Sequence, residues 1–323
     1  MQMQRGLTYR RRWGVVLAGG EGLRLRSLTR LLSGDNRPKQ FCPLLGGRTL
    51  LAQTKIRITR SVAHSRTLFV LLKAHECFYR KELRGVPPVR MVVQASNRGT
   101  LPAILASLMR ILRQDRNALV AFFPSDHYYF DEDRFREDVE SAFEAAEDHP
   151  ESVILLAAQA KHPEVGYGWI EAEPLPSDPS RCLLGVKHFW EKPSQPLAKE
   201  LLDRGCLWNT FVMAGTAQAF ADMIRSGAGE MYRAFEPLLA YRKPEAEEAE
   251  LRAIYENLPA ADFSEQILSA NRDRLAVLRL GDVGWSDLGD PRRVITVLSE
   301  TGVEHEWVTH WHRDNAAASA SAS

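Results

Sequence analysis

Short apolar runs rich in valine, leucine and phenylalanine recur along the first half of the chain, each followed by a longer stretch whose apolar positions have helical spacing. That alternation is the pattern of parallel strands joined by crossover helices. It predicts strands over 13–18, 67–72, 89–94, 118–123 and 153–158, with helices over 49–59, 74–83, 100–113 and 133–147 between them. After Pro163 the rhythm changes: Gly166-Tyr167-Gly168-Trp169-Ile170 reads as entry to a short strand, 174–179 as turn-rich, and 185–190 as a strand running into Glu191-Lys192-Pro193. Helices dominate 216–270, with 245–250 as an acidic solvated face, and 274–280 returns as a strand before Gly284-Trp285-Ser286-Asp287. No internal repeat is visible. The predicted fold is α/β, a doubly wound, mostly parallel sheet with helices on both faces and a small β/α extension. Its ligand lies at the carboxyl ends of the strands.

A chain of 323 residues, 45% hydrophobic and 26% charged, has the composition of an ordinary globular protein with one large domain, here 13–300. Residues 1–12 read as a flexible lead-in in which Arg10 to Arg12 are solvated, and 301–323 as an extension whose final AAASASAS is disordered. Because 42 basic residues balance 41 acidic ones, no global field holds nucleic acid or an anionic membrane. Any phosphate is therefore bound locally. Cys42, Cys77, Cys182 and Cys206 form no C-x-x-C pair, which favours a reducing cytoplasm and gives thiol catalysis no support. No apolar window is long enough to span a bilayer, so the chain is expected to be soluble and cytoplasmic.

The candidate chemistry begins at Gly19-Gly20-Glu21-Gly22-Leu23-Arg24-Leu25, directly after the first strand. Glycines there let the backbone approach a bulky group, and an arginine among them points to an anion. A Walker A loop is set aside because no Lys-Ser or Lys-Thr pair follows Gly22. A dinucleotide fingerprint is set aside because Leu25 stands where its third glycine belongs. What remains is G-G-x-G-x-R-L followed by Pro38-Lys39-Gln40-Phe41.

That pair of motifs resembles the sugar-1-phosphate nucleotidyltransferases, and PKQF most resembles the mannose-1-phosphate guanylyltransferases among them. The resemblance continues in order through Asn97-Arg98-Gly99-Thr100-Leu101-Pro102-Ala103-Ile104, Pro124-Ser125-Asp126-His127, Gly166-Tyr167-Gly168, Glu191-Lys192-Pro193, Trp208-Asn209-Thr210 and Gly284-Trp285-Ser286-Asp287-Leu288-Gly289. It implies a Rossmann-like nucleotide-diphospho-sugar transferase fold with a nucleotide-binding half over 13–160 and a sugar-phosphate half over 161–300. It also implies transfer of a nucleotidyl group from a nucleoside triphosphate to a sugar 1-phosphate with release of pyrophosphate. GTP and mannose 1-phosphate are the expected pair and Mg²⁺ the expected cofactor. By the same resemblance, Ala18, Gly19, Gly20, Gly22, Arg24, Lys39, Asn97, Gly99 and Thr100 would meet the nucleotide. Gly168, Glu191, Lys192 and Asn209 would meet the sugar phosphate, and Asp126 and Asp287 would hold the metal. Arg24, Lys39, Asp126, Lys192 and Asp287 form the expected catalytic set.

Each of these residues also has a plainer reading. Asp126 could cap the helix formed by the following DEDRF segment, and Asp287 one beginning near Asp290. Lys39 alone is a surface lysine, and Glu191-Lys192 alone a surface pair before a helix started by proline. His127, Trp208 and Trp285 read as structural neighbours, and the spacing of His305, His310 and His312 fits no standard zinc motif. The chain departs from the guanylyltransferase pattern at Leu23, at Arg26-Ser27, in the longer LLSGDNR segment, at Gly99 and at Phe211, the last two bearing on base and sugar selectivity. About thirty residues beyond Gly289 leave no room for an isomerase domain or a hexapeptide β-helix, so a bifunctional enzyme is not expected and a homodimer would need another surface. Two other functions compete: the same chemistry on another pair such as glucose 1-phosphate with a different nucleotide, and a silent nucleotide-sugar-binding regulatory protein.

Overall fold

A computed structural model describes residues 11–175, 183–241, 243–302 and 307–308. Its strands are β1 (Arg12–Leu17), β2 (Thr67–Leu72), β3 (Met91–Gln94), β4 (Leu119–Pro124), β5 (Val153–Gln159), β6 (Gly168–Pro174), β7 (Leu183–Glu191), β8 (Leu207–Thr216) and β9 (Leu275–Arg279). Among the described residues they form one sheet of order β3-β2-β1-β4-β8-β5-β9-β7-β6, with a further β8–β6 pairing. The helices are α1 (Arg26–Ser33), α2 (Leu50–Ile58), α3 (Glu76–Glu82), α4 (Thr100–Leu112), α5 (Glu132–Asp148), α6 (Gln195–Asp203), α7 (Ala217–Gly227), α8 (Gly229–Phe235), α9 (Pro244–Glu256) and α10 (Pro291–Thr301).

Strands buried on both faces read as continuous apolar runs, and successive side chains point to opposite sides. Val15 and Phe122 accordingly join the core under α4, α7, α8 and α9. Their neighbours Val16 and Phe123 join the core under α2 and α5. β3, β2, β1 and β4 run parallel, as the alternating pattern predicts. β8 enters antiparallel to both β4 and β5, and β6 and β7 pair antiparallel, so the whole sheet is mixed. Reversal has a consequence for the site: the amino-terminal residues of β8 arrive at the same end of the sheet as the carboxyl ends of β1 and β4.

Two local expectations are corrected. Arg12 is not part of a solvated lead-in: it opens β1, is buried, bonds Glu140 at 2.5 Å and lies 4.6 Å from the centre of the Phe143 ring. An arginine at a strand start can lay its guanidinium on an aromatic face while keeping an acid in reach. The acidic run 245–250 is not wholly solvated either, because Glu247 is buried between Arg110 of α4 (2.6 Å) and Arg113 just past its end (2.9 Å). A buried carboxylate needs such partners, and the pairing fixes α9 against α4. The expected lead-in up to residue 10, most of the 174–179 turn, Cys182, and the tail with His305, His310 and His312 lie outside the described residues. No helix among the described residues is long and apolar enough to cross a membrane.

Candidate active site

The glycine turn follows β1 and is shaped from below by PKQF. Gly22 has φ of +61°, and a Cβ placed on it would lie 3.0 Å from the backbone nitrogen of Lys39, so both conformation and space call for glycine. Gln40, buried beneath the turn, donates through Nε2 to the carbonyls of Ala18 (3.1 Å) and Gly20 (2.7 Å). On the other side, a Cβ on Gly19 would lie 2.6 Å from Nε2 of Gln94, whose Oε1 accepts from the Tyr255 hydroxyl at 2.9 Å. The turn is thus gripped by two glutamine side chains. Ala18 itself is fully buried with its methyl group in the core, leaving only its backbone near the turn.

Asp126 follows β4, and Asp287 lies far along the chain, after β9. An isolated antiparallel bridge draws them together: Tyr128 N donates to Ser286 O at 2.8 Å and Ser286 N to Tyr128 O at 3.1 Å. Lys39 closes the gap, its Nζ 3.3 Å from Asp126 Oδ2 and 2.5 Å from the Asp287 carbonyl oxygen. The capping roles fall to other residues. Asp131 caps α5 and Asp290 caps α10. Asp287 Oδ1 accepts from the Tyr167 hydroxyl (2.8 Å), Gly289 N (2.8 Å) and Arg293. Burial alone would raise this carboxyl, yet the Lys39 and Arg293 cations hold it below the usual range, so it stays ionised. His127 is packed so closely that desolvation lowers its pKa to about 4, and its Nδ1 accepts from Trp285 Nε1 at 3.2 Å. It is neutral and engaged, a structural neighbour.

Strand register assembles a second row. Gly168 of β6 lies between Glu191 of β7 and Asn209 of β8. A Cβ on Gly168 would meet Glu191 Oε2 at 2.9 Å and Asn209 Cβ at 3.2 Å, so glycine keeps the row open. Burial raises the Glu191 carboxyl above its ordinary value despite the Lys192 ammonium 3.0 Å away, while Glu191 and Asp262 outweigh burial at the more exposed Lys192 and raise it. Arg24 is exposed and reaches across from the glycine turn: its Nη1 would lie 3.5 Å from a Cβ on Gly166.

A cavity of about 360 Å³ opens between these groups, lined by Gly19, Gly20, Gln94, Asn97, Gly99, Thr100, Asp126, His127, Phe211 and Asp262 among others. Gly99, at φ of +87°, packs so tightly on 261 that a Cβ would sit 2.3 Å from the Ala261 carbonyl oxygen. Leu101 N donates to that same oxygen (3.1 Å), and Thr100 Oγ1 donates to Asp262 Oδ2 (3.2 Å). Of the residues expected at the nucleotide, Gly19, Gly20, Asn97, Gly99 and Thr100 therefore share this cavity with Asp126, while Ala18 and Gly22 do not line it. Arg24, Lys39 and the Gly168 row do not line this cavity. A separate cavity of about 410 Å³ beside β3, lined by Lys73, Arg80 and Arg84 among others, contains none of the expected residues.

Sequence reasoning missed Arg293, Tyr167 as a partner of Asp287, Gln94 and Asp262. Arg293 of α10 joins Asp287 to the Tyr167 hydroxyl (2.6 Å), Glu164 (2.9 Å) and Asp290 (3.0 Å). Gln94 ends a predicted strand and Tyr167 stands in the Gly166-Tyr167-Gly168 motif, which were usable signals; Arg293 and Asp262 carry none. Among the described residues, the non-glycine positions at positive φ are Lys192, Phe211 and Leu288, and each adjoins or lies two from Glu191, Asn209 or Asp287. Left-handed backbone costs a side-chain-bearing residue about 1–2 kcal/mol, and such outliers gather at functional sites.

Comparison with known proteins identifies the family. The family model for nucleotidyl transferases matches residues 13–302. The xanthan biosynthesis protein XanB of Xanthomonas campestris pv. campestris is 27% identical over 292 residues, covering 89% of this chain and 60% of that one. Mannose-1-phosphate guanylyltransferase 2 of Escherichia coli O157:H7 is 25% identical over 300 residues, with the same two shares. The chain thus spans about 60% of the length of these curated relatives. Among solved structures, one from Thermus thermophilus, described as a mannose-1-phosphate geranyltransferase, superimposes with a TM-score of 0.76 at 30% identity, covering 88% of this chain and 79% of that chain. Ordered motifs, the fold and a family match over nearly the whole described chain lead to one assignment: the chain belongs to the nucleotidyl transferase family.

Proposed function

We propose that this protein transfers a guanylyl group from GTP to mannose 1-phosphate, giving GDP-mannose and pyrophosphate. Relatives bearing a mannose-1-phosphate guanylyltransferase name support the choice of substrates, and the PKQF motif supports it within the chain. The observation that carries the chemistry is the convergence on Lys39, whose ammonium touches both Asp126 and the Asp287 backbone beneath the glycine turn.

The reaction needs little proton transfer. A sugar 1-phosphate loses its second proton near pH 6, so its oxygen is already nucleophilic at neutral pH, consistent with a His127 that is neutral and engaged elsewhere. What the protein must supply is alignment of two anions and compensation for charge moving onto pyrophosphate. Gly19, Gly20 and Gly22 would let the backbone close on the triphosphate, with Arg24 and Lys39 offsetting its charge. Lys192 would hold the 1-phosphate for in-line attack while Glu191 and Asn209 accept from and donate to sugar hydroxyls.

The acidic pair fits Mg²⁺. Among the described residues Asp126 has one side-chain partner, Lys39, and Asp287 commits Oδ1 to hydrogen bonds, so each carboxylate has an oxygen to offer. No cluster of three or more candidate ligand side chains occurs among the described residues. Magnesium suits that arrangement, since it takes one or two carboxylates and completes its octahedron with water and phosphate. Bound there, it would supply charge stabilisation for the α-phosphoryl group and the leaving pyrophosphate.

The test is a matrix of nucleoside triphosphates against hexose 1-phosphates, scored by pyrophosphate release. GTP with mannose 1-phosphate should give the highest kcat/KM. No turnover with that pair, alongside turnover with another, would reject the substrate assignment and keep the reaction class. Binding of nucleotide sugars without any turnover would favour the regulatory reading.

A further inference from the structure

The cavity of about 410 Å³ lies beside β3, the edge strand of the sheet, and none of the expected residues lines it. Its interior is apolar, formed by Leu83, Met91, Val93 and Leu251 around Tyr79. Tyr79 is only 4% exposed, yet its hydroxyl has no hydrogen-bond partner among the described residues. The charges that bear on this phenol are chiefly those of Glu76, Arg80 and Glu248, all of them cavity-lining residues, so the hydroxyl faces the cavity. Burial pushes its pKa up to about 12, which keeps the proton on and makes it a donor at neutral pH. A buried hydroxyl left unpaired is costly, and an acceptor on a ligand would remove that cost. The rim carries surplus positive charge. Lys73 and Arg80 share Glu76, each at 2.8 Å, and Arg84 has no acidic partner among the described residues. Glu248 is paired with Arg252 at 3.3 Å, and Arg110 is already committed to Glu247 and to the Val89 and Met91 carbonyls.

An apolar interior with one hydroxyl donor suits a ring that has apolar faces and an acceptor at its edge, and surplus cations at the rim suit a phosphate. A free hexose phosphate fits less well, because its hydroxyls would go unpaired among Met91, Val93 and Leu251. The cavity also touches the glycine turn at one remove. Met91 and Val93 line it, and the next residue of β3 is Gln94, against which Gly19 packs. Leu251 of α9 lines it too, and one turn further along that helix the Tyr255 hydroxyl donates to Gln94 Oε1 at 2.9 Å. We propose that this cavity is a second ligand site, taking a phosphate monoester with a nucleobase-like ring, a mononucleotide, and that its occupation alters the hold of Gln94 on the glycine turn. The phosphate lies at Lys73, Arg80 and Arg84, and Tyr79 donates to the ring. The site stands apart from the proposed function; only its coupling rests on that reading, because it takes the turn to bind the triphosphate.

The experiment is calorimetry on the parent, Arg84→Glu and Tyr79→Phe with AMP, GMP, CMP and UMP, and with ribose 5-phosphate and inorganic phosphate as ringless probes. At least one mononucleotide should bind the parent about tenfold more tightly than either ringless probe, as burial of a base requires. Arg84→Glu should weaken that binding by about tenfold or more, and Tyr79→Phe, which keeps the packing and loses one hydrogen bond, by about fivefold. Saturating mononucleotide should change the affinity for GTP by about fivefold in the parent and leave it unchanged in Arg84→Glu. Mononucleotides that bind no more tightly than ribose 5-phosphate, or none that binds at all, would overturn the proposal. So would binding that GTP displaces and that both variants leave intact, since it would lie at the glycine turn. Binding lost in Arg84→Glu with GTP affinity unmoved in the parent would overturn the coupling. If Tyr79→Phe does not fold, Arg84→Glu on the exposed rim decides. If GTP does not bind the parent, the proposed function fails, and the mononucleotide titrations still decide the site.

Discussion

At the Asp287 carboxylate one oxygen is saturated by Tyr167, Gly289 and Arg293, while Asp126 has, among the described residues, a single side-chain partner in Lys39. The two aspartates should therefore respond differently when their surroundings are cut. Asp126→Ala removes a group with little structural role, so kcat should fall by about 10²-fold or more while the melting temperature stays near the parent's. Arg293→Met strands buried Asp287 and Glu164 together, so it should cost about 3 kcal/mol of stability as well as activity, read from urea unfolding and pyrophosphate release. Preserved stability in Arg293→Met would show that the network is ornamental. The sequence made Asp126 and Asp287 legible because each lies inside a motif that falls in order with the others. Arg293 was not legible, since α10 offers a run of basic residues and nothing in the run says which one turns inward.

β1, β2 and β4 were readable because parallel strands buried on both faces must be continuously apolar, while the edge strand β3 buries one face only. β8 was read only as a Trp-Asn-Thr motif, because Asn209, Thr210 and the bulge that follows them interrupt its apolar run. The reversal of β8 brings Asn209 and Phe211 to the end of the sheet that carries the glycine turn and Asp126, so the element hardest to see is one on which the sugar reading depends. The turn before α4 is a second such case. Gly99 looked like a departure affecting selectivity, and the structure gives it a packing reason: the Ala261 carbonyl occupies the space a side chain would need. Gly99→Ala should cost at least about 2 kcal/mol, the sum of a left-handed alanine and a clash against backbone, and should loosen the 97–100 wall of the cavity. A melting temperature equal to the parent's would contradict that reason.

Across the whole molecule, parallel strands from the first half deliver the glycine turn, Asn97 and Asp126 to one end of the sheet. Antiparallel strands from the second half deliver Glu191, Gly168 and Asn209 to the same end. The bridge between Tyr128 and Ser286 ties the two sets through Asp126 and Asp287. Order along the chain could indicate that these motifs belong together, but only register and strand direction explain how they meet. Lys39, lying between the acids, occupies ground where a metal ion would compete with it for the Asp126 oxygen and a triphosphate would compete with Asp126 for its ammonium. A crystal structure with Mg²⁺ and a non-hydrolysable GTP analogue tests this directly. The account predicts one metal ion held by both Asp126 and Asp287, the triphosphate over the glycine turn, and Lys39 moved from Asp126 onto phosphate. A metal bound away from either aspartate, or a triphosphate that does not touch the turn, would contradict it.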